Sequence, residues 1–570
     1  MFFAHTTTLL FSLLLLGRPV LGANELRIHN ASELITFSDG VNSGANYSGT
    51  IIYLDSDIVF DSSLSQEFQP IGNESNCFQG TFDGQGHTIS GLALNSSSEN
   101  VGLFGYSNGA VVKNVVLDES CSFVSSSCSN DPNIGAITGY CESCVIESIV
   151  SLTSVAFTGG SSSSYLGGII GRLIESGTIK NCVNYGPVTH SGTSAFGSYI
   201  GGIVGLSGGT SVKFIQNCAN YGAITNNGTS SSLCIGGIIG DRWYGTIIVE
   251  NCVSVGQIVN SKQASENYIG SVLGYIGSGA EKANITHCLW TSDVGNYNLY
   301  DTKSKGDVTV TNSSIKELNA TTVNELNEYT ERNSAFSNWF MLHLNGGRIN
   351  NLNQETLIVT QKHFPDPVKE RYTFLFWCKD AKCSERYDPQ TTVITGVTDL
   401  YAAWTINNYT ITFIFNNGTE NVMRIFNFNE TIVYPEDPTK KGHTFNGWSP
   451  RPERMPAMDV TVTAQWIEKP SEIIEIVITK KDLKEKEIKE IIKRYTDDKF
   501  TIEKIDDVGS AGETRVIVKF VDVEKAKSFV DTVKASSGTE SPIKKVGFIH
   551  ETVGSFSASC LPTLLFGLIM

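Results

Sequence analysis

The chain is 570 residues long with a net charge of −16 and 18% charged residues, enough for several domains rather than one. No basic stripe breaks the acidic balance, which removes nucleic acid from the expected partners. No Cys-X2-Cys pair recurs at zinc-finger spacing, since Cys141-Glu-Ser-Cys144 stands alone, so neither a metal nor another cofactor is expected.

At the N-terminus, Leu9 to Leu16 is an almost unbroken apolar run. Gly17-Arg-Pro-Val-Leu-Gly22 follows it, with small and apolar residues suited to signal-peptidase cleavage. Residues 1–22 are therefore expected to be a signal peptide, the run being too short to span a membrane. Residues 24–60 read as a cap for what comes next. Leu34-Ile-Thr-Phe37 suggests a helical turn, and Thr50 to Phe60 a first pair of strands.

From Val101 to Trp290 a phrase of the form apolar-Gly-small-apolar-apolar-Gly recurs. It reads Ile134-Gly-Ala-Ile-Thr-Gly139, Leu166-Gly-Gly-Ile-Ile-Gly171, Ile200-Gly-Gly-Ile-Val-Gly205, Ile235-Gly-Gly-Ile-Ile-Gly240 and Ile269-Gly-Ser-Val-Leu-Gly274, after the shorter Val101-Gly-Leu-Phe-Gly105. The closing glycines step by 34, 32, 34, 35 and 34 residues, a period that belongs to stacked supersecondary units. A second phrase keeps the beat: Asn181-Cys-Val-Asn-Tyr-Gly186, Asn217-Cys-Ala-Asn-Tyr-Gly222 and Asn251-Cys-Val-Ser-Val-Gly256, echoed by His287-Cys288. Ile, Val and Thr dominate without helical period, so the units are short strands and residues 23–300 are expected to form a parallel β-solenoid. The repeat fits either two coils of about 17 residues or one large coil. Asn181, Asn217 and Asn251 are expected to stack along one corner and share amide hydrogen bonds. Glycines at 201–202 and 236–237 mark close backbone approach.

These Gly-Gly-Ile-Val-Gly phrases resemble the GLUG repeat of surface and secreted proteins. Gly80-Thr-Phe-Asp-Gly-Gln-Gly-His-Thr-Ile-Ser-Gly-Leu92 is similar to the entry coil of pectin-lyase-like β-helices. The resemblance implies fold more than activity.

Residues 301–337 read as a capping or linker segment, with a short helix from Thr321 whose N-cap is Thr321 or Thr322. Two units of one design follow, at 338–405 and 406–467. Each opens with a β strand and an Asn-Gly turn, at Leu344-Asn-Gly-Gly347 and Asn416-Asn-Gly418. Each then carries paired tryptophan strands: Tyr372-Thr-Phe-Leu-Phe-Trp-Cys378 with Asp399 to Trp404, and His443-Thr-Phe-Asn-Gly-Trp-Ser449 with Val460 to Trp466. They resemble the Listeria–Bacteroides repeat of internalin-type surface proteins, which implies small β-grasp-like modules. The first copy departs from the pattern at Phe376, where the family has glycine. Trp377, Trp404, Trp448 and Trp466 read as fillers of small cores.

Residues 468–535 change to a β-α-β-β-α order, expected to be a ferredoxin-like α+β domain with a hairpin around Gly509 to Gly512. A membrane-proximal domain of this topology resembles the self-cleaving SEA module. Gly509-Ser510 lacks the hydrophobic strand expected after the cleavage site, so that chemistry is not carried over. Residues 536–570 read as a stalk and tail. Ser555 to Met570 is an apolar ending without a basic flank and resembles a GPI-anchor signal, with Gly554, Ser555 and Ser537 as candidate attachment residues. The fold class expected is thus mainly β: a parallel solenoid, two small β-grasp-like repeats and a ferredoxin-like domain.

Both terminal signals imply the secretory route and the outer face of the plasma membrane. Candidate N-glycosylation sites are Asn30, Asn46, Asn73, Asn95, Asn227, Asn284, Asn312, Asn319, Asn408, Asn417 and Asn429. Of 13 cysteines, Cys560 lies in the tail that anchoring removes. Cys121 with Cys128, Cys141 with Cys144 and Cys378 with Cys383 are candidate disulfides. Cys182, Cys218, Cys252 and Cys288 share a slot with Val115 and read as small buried apolar residues rather than disulfide partners.

Catalysis finds little support. The carboxylates Asp55, Asp57 and Asp83 sit at turns and no acid repeats in register along the ladder, whereas glycoside hydrolysis needs two opposed carboxylates. His550-Glu-Thr-Val-Gly554 fails the His-Glu-X-X-His pattern, and no Gly-X-Ser-X-Gly elbow has nameable partners. The expected function is a non-enzymatic adhesin held to the membrane by a lipid anchor and binding an extracellular glycan or protein. A structural spacer or coat protein is the first alternative, and a polysaccharide lyase or hydrolase the second.

Overall fold

The computed structural model describes residues 25–549 apart from 127–130, 263, 278–281, 296, 302, 304–306, 317–318, 332–337, 350–355, 360–365, 388–398, 481, 509–511 and 537–540. Two compact units divide the chain at Thr405 and Ile406.

In the first unit each Gly-rich repeat is one large coil of five short strands. One such coil runs Val111–Lys113, Val116–Leu117, Ser122–Ser125, Asn133–Gly135 and Thr138–Glu142 before Val145–Glu147 opens the next. Stacking these coils gives five parallel sheets, called I to V in that order. Sheet I has ten strands, from Glu25–Ile28 to Asp307–Thr311, sheet II has nine, and sheets III to V have six each. The period of 32 to 35 residues is therefore a single coil, not two smaller ones.

Inward positions carry β-branched side chains. Val112, Ile146, Ile179, Ile215, Val249 and Ile285 lie one above another in sheet I, fully buried. The corner from sheet I to sheet II needs the left-handed backbone region. Asn114, Ser148, Asn181, Asn217, Asn251, His287 and Asn312 occupy it with φ between 50° and 55°. Asparagine tolerates this conformation better than other side chains with a Cβ. The amides also link coil to coil, Asn217 donating to Asn181 at 2.7 Å and Asn251 to Asn217 at 2.8 Å.

The N-terminal end is closed by helix α1, Ala31–Asn42, longer than the expected turn. The Asn30 side chain accepts from the Glu33 N–H at 3.0 Å, and Leu34, Phe37 and Val41 bury into the solenoid core. At the other end Ser271 and Val272 donate to the carbonyls of Asn298 and Leu299 at 2.7 and 3.0 Å. Asp307–Thr311 and Ser314–Ile315 then add last strands to sheets I and II, so the capping segment begins as solenoid. Helix α2, Ala320–Glu331, starts one residue before Thr321. Its cap is Asn319, which accepts from the Thr322 N–H at 3.1 Å, rather than Thr321 or Thr322. Asparagine presents its oxygen at the distance the free N–H groups need, and both threonines fall inside the first turn. Val323 and Leu326 of this helix share one apolar cluster with the outward residues Val116, Val150, Val183, Ala219, Val253 and Leu289 of sheet II. Trp339, Leu342 and Leu400 of the first small module belong to the same cluster, so sheet II is a covered face.

That module and its counterpart in the second unit share one topology. Strands Phe340–His343, Thr356–Val359, Tyr372–Cys378 and Asp399–Ile406 lie in the order second, first, fourth, third. Asn408–Ile414, Val422–Asn427, His443–Ser449 and Val460–Glu468 repeat that order. In both, first and last strands are parallel at the centre. This is the sheet order of a β-grasp, and among the described residues neither module carries its helix. Trp377 and Trp448 are each 6% exposed. Phe374 lies 5.4 Å from Trp377 and 5.7 Å from Trp404, and Phe445 lies 5.6 Å from both Trp448 and Trp466. The tryptophans are core fillers in both copies. Gly447 has a φ of 92°, and at the matching position the ring of Phe376 takes the Arg386 guanidinium at 5.1 Å.

The last sheet orders Phe500–Val508, Glu513–Phe520, Ile473–Ile478 and Ile543–Phe548, all antiparallel, with helices Glu485–Ile492 and Val523–Ala535 packed into its core. Its fourth strand lies beyond residue 535, inside the segment that reads as stalk from sequence.

Candidate functional site

The Gly-Gly phrases are the junctions between sheets IV and V. A Cβ at Gly202 or Gly237 would run into the next coil, at the carbonyl oxygens of Gly237 and Ser271 respectively. A Cβ at Gly205 would sit 2.6 Å from the Gly171 oxygen. Glycine thus lets the chain turn back sharply, and outward side chains of the two flanking strands face each other across the bend. Tyr268 of sheet IV and Tyr275 of sheet V, in one coil, have ring centroids 4.2 Å apart. Three coils earlier, the guanidinium of Arg172 lies 4.8 Å from the Tyr165 ring.

Two rows of side chains line the resulting groove. Sheet V contributes Tyr106, Tyr140, Arg172, Leu206, Asp241 and Tyr275 in register. Sheet IV contributes Asn133, Tyr165, Tyr199, Cys234 and Tyr268. Tyr106 stacks on Tyr140 at 4.6 Å and Tyr165 on Tyr199 at 5.1 Å. Trp243 meets Tyr199 edge-on at 5.6 Å, and its Nε1–H donates to the buried Asp241 carboxyl at 2.8 Å. Tyr106, Tyr140, Arg172, Trp243, Tyr268 and Tyr275 are half-buried and form the accessible strip.

Burial governs the acid–base chemistry. It raises the Asp241 carboxyl to about 8, against the lowering effect of its bonds to Arg242 and Trp243, so this acid is largely protonated at neutral pH. It also raises the phenols of Tyr106, Tyr140 and Tyr199 and pushes Tyr268 up to about 12, so all four stay neutral. Tyr106 and Asn108 both donate to Glu142 at 3.1 Å, and Tyr268 donates to Glu266 at 3.2 Å. Neutral ring faces with hydroxyls and carboxylates at their margins bind polyhydroxylated ligands by stacking and hydrogen bonding. No group of three or more His, Cys, Asp or Glu able to hold a metal occurs among the described residues.

The residues singled out from sequence fall elsewhere. Of the sequon asparagines, Asn30, Asn46, Asn73, Asn95, Asn227, Asn312, Asn319, Asn408 and Asn429 are exposed and Asn284 and Asn417 half-buried. None sits on a strand of sheet IV or V, whereas Asn95 lies in sheet III and Asn284 in sheet I. Cys141 with Cys144 and Cys378 with Cys383 are disulfide-bonded. Cys121 is a buried thiol directed at the Ile89 carbonyl at 3.3 Å, and Cys128 lies outside the described residues. Cys182, Cys218, Cys252 and Cys288 are buried free thiols in one column. Ser537, Gly554, Ser555, Gly509 and Ser510 lie outside the described residues. Asp83 accepts from the Gln85 N–H at 3.0 Å and pairs with Lys113 at 3.2 Å, while Asp55 pairs with Arg27 at 2.7 Å. These acids hold turns and coils together. The groove residues escaped the sequence reading, although the steps Tyr106 to Tyr140 and Tyr165 to Tyr199 keep the 34-residue beat of the glycines.

Comparison with known proteins places the two small modules. Residues 340–403 and 409–465 match the Listeria-Bacteroides repeat domain. Two proteins of Evansella cellulosilytica, named as a membrane protein and a Gly-rich membrane protein, are 38% and 37% identical over 82 residues, 14% of this chain. Internalin H of Listeria monocytogenes is 32% identical over 111 residues, 18% of this chain. The matches span 12%, 10% and 20% of those relatives' own lengths. No solved structure matches.

Proposed function

We propose that the protein is a surface adhesin whose solenoid groove holds a glycan. The observation that carries this reading is the aromatic strip between sheets IV and V. Sheet II is covered by an apolar cluster, sheets I and III bear sequons, and the groove bears none. Glycosylation would therefore leave this face open. The Listeria-Bacteroides repeats, and relatives named as an internalin and as membrane proteins, favour a place at the cell surface.

The lipid anchor belongs to the same proposal, and the fold bears on its position. Attachment at Ser537 would remove strand Ile543–Phe548, which pairs along Ile473–Ile478 in the last sheet. Gly554 or Ser555 keeps that sheet whole. A glycan array probed with the purified protein tests the function. Specific hits that Tyr140→Ala abolishes support an adhesin acting through the groove. Silence across the array would leave the spacer reading, and release of shortened sugars would mean an enzyme.

A further inference from the structure

We propose that Arg172 makes the groove selective for glycans carrying isolated carboxylates among neutral sugars, with one carboxylate bound per groove. This rests on the glycan reading above and adds the charge of the ligand.

Three aromatic rings surround Arg172. Its guanidinium lies 4.8 Å from the Tyr165 ring, 5.6 Å from Tyr140 and 5.7 Å from Trp243. Its Nε is buried and has no hydrogen-bond partner among the described residues. Among the described residues no carboxylate pairs with it, unlike Arg27 and Arg515, which face Asp55 and Glu475. Rings hold the flat faces of a guanidinium and leave its in-plane N–H donors unspent. A carboxylate matches that fork with two parallel hydrogen bonds, and the half-buried setting strengthens them relative to water.

The rest of the groove sets a limit on ligand charge. Glu142 stands beside Tyr106 and Tyr140, Asp131 accepts from the Ser163 N–H at 2.7 Å, and Glu266 holds Tyr268. The charges of Glu142 and Asp131 act on the phenols of Tyr140 and Tyr165 respectively, so both acids lie close to the strip. A uniform polyanion would meet these acids on either side of Arg172, added to the net charge of −16. The other cation against the strip, Lys303, sits at its far end, 5.8 Å from the Tyr268 ring that Glu266 also holds, and its Nζ donates to the Asn267 carbonyl at 3.1 Å. Neutral sugars suit those positions, since carboxylates accept from hydroxyls and tyrosine faces take pyranose faces. Tyr106 to Tyr275 spans five coil steps, about 24 Å at ~4.8 Å per step, room for an oligosaccharide with its acidic sugar at the middle.

The test compares matched probes on the purified full-length protein by titration calorimetry. They are an oligosaccharide ending in a carboxylated sugar, its neutral counterpart, a sulfated counterpart and a homopolymeric uronate. The carboxylated probe should bind at least about tenfold tighter than the neutral one, and the homopolymer no better than the neutral one. Arg172→Gln should erase the tenfold preference, read as the ratio of carboxylated to neutral affinity on the one variant with its thermal transition recorded alongside. Arg172→Lys should restore only part of it, because an ammonium cannot form the paired bonds. Equal binding of carboxylated and neutral probes, or a preference that survives Arg172→Gln, overturns the proposal. A stronger preference for the sulfated probe also overturns it, because the fork then selects anions in general. Carboxylated and neutral probes that bind alike, and that Tyr140→Ala removes alike, would sink this inference and leave the glycan groove standing.

Discussion

At the scale of residues, repeated positions explain single side chains. Cys182, Cys218, Cys252 and Cys288 fall in the slot that Val115 and Ile149 fill in earlier coils. Burial pushes the Cys182 and Cys252 thiols well above their ordinary value, which makes them inert apolar fillers. Cys218 is fully buried in that slot, so Cys218→Val should cost less than about 1.5 kcal/mol in denaturant unfolding. A loss of about 2–5 kcal/mol, or a disulfide-linked peptide containing Cys218 in thiol mapping, would contradict the buried-thiol account. Asp241 yields a pH prediction. Its carboxyl is raised by burial to about 8 in the folded chain, so the folded state binds a proton that the unfolded state has lost between about pH 4 and 8. The stability linked to this group is full below about pH 4 and is lost as pH rises to about 8. Asp241→Asn, which still accepts from Trp243, should flatten that part of a melting-temperature profile. An unchanged profile would mean that Asp241 is ionised. The Cys slot and the Asn181, Asn217, Asn251 corner were legible because one residue type recurs. Asp241 was not, since its row holds Tyr, Arg, Leu and Asp, and only register shows that they share one groove.

At the scale of elements, the coil is built on glycines that admit no Cβ. Gly237→Val would drive its branch into the Ser271 carbonyl and Ser254, a clash between coils and not a strain of positive φ. Overpacking of this kind costs about 1–3 kcal/mol, and more where backbone cannot shift. Coils couple mainly to neighbours, so hydrogen exchange should rise over roughly residues 200–275 and stay slow around Ile146 and in the Trp448 module. Uniform loss of protection would mean one cooperative globule. The small modules show why their reading transferred from sequence. Lys369 lies 5.6 Å from the Trp404 ring and Lys440 5.7 Å from Trp466. The Nε1–H of each tryptophan donates to a carbonyl of its module's first turn, Leu344 at 3.0 Å and Phe415 at 2.8 Å. Those spacings are local and survive in one sequence. The number of strands per coil was not legible, because a two-residue strand such as Val116–Leu117 has no periodicity of its own. The covered face of sheet II was equally hidden, since its cover comes from residues 320–404, far along the chain.

At the scale of the whole molecule, a solenoid presents a groove, two small modules match the Listeria-Bacteroides repeat domain, and the tail is proposed to end at Gly554 or Ser555. If the anchor proposal holds, phosphatidylinositol-specific phospholipase C should release the protein from cells. Recovery of Met570 in the mature chain would end it. The claim that matters most is that sheets IV and V, rather than the small repeats, hold the ligand. The most direct measurement is a hydrogen-exchange footprint of the purified protein with and without its tightest glycan. The account predicts slowed exchange confined to the strands of sheets IV and V, residues 100–108, 133–142, 160–174, 193–208, 229–242 and 266–276, with 340–465 unchanged. Protection confined to 340–465, with the groove strands unchanged, would contradict it and make the solenoid a stalk.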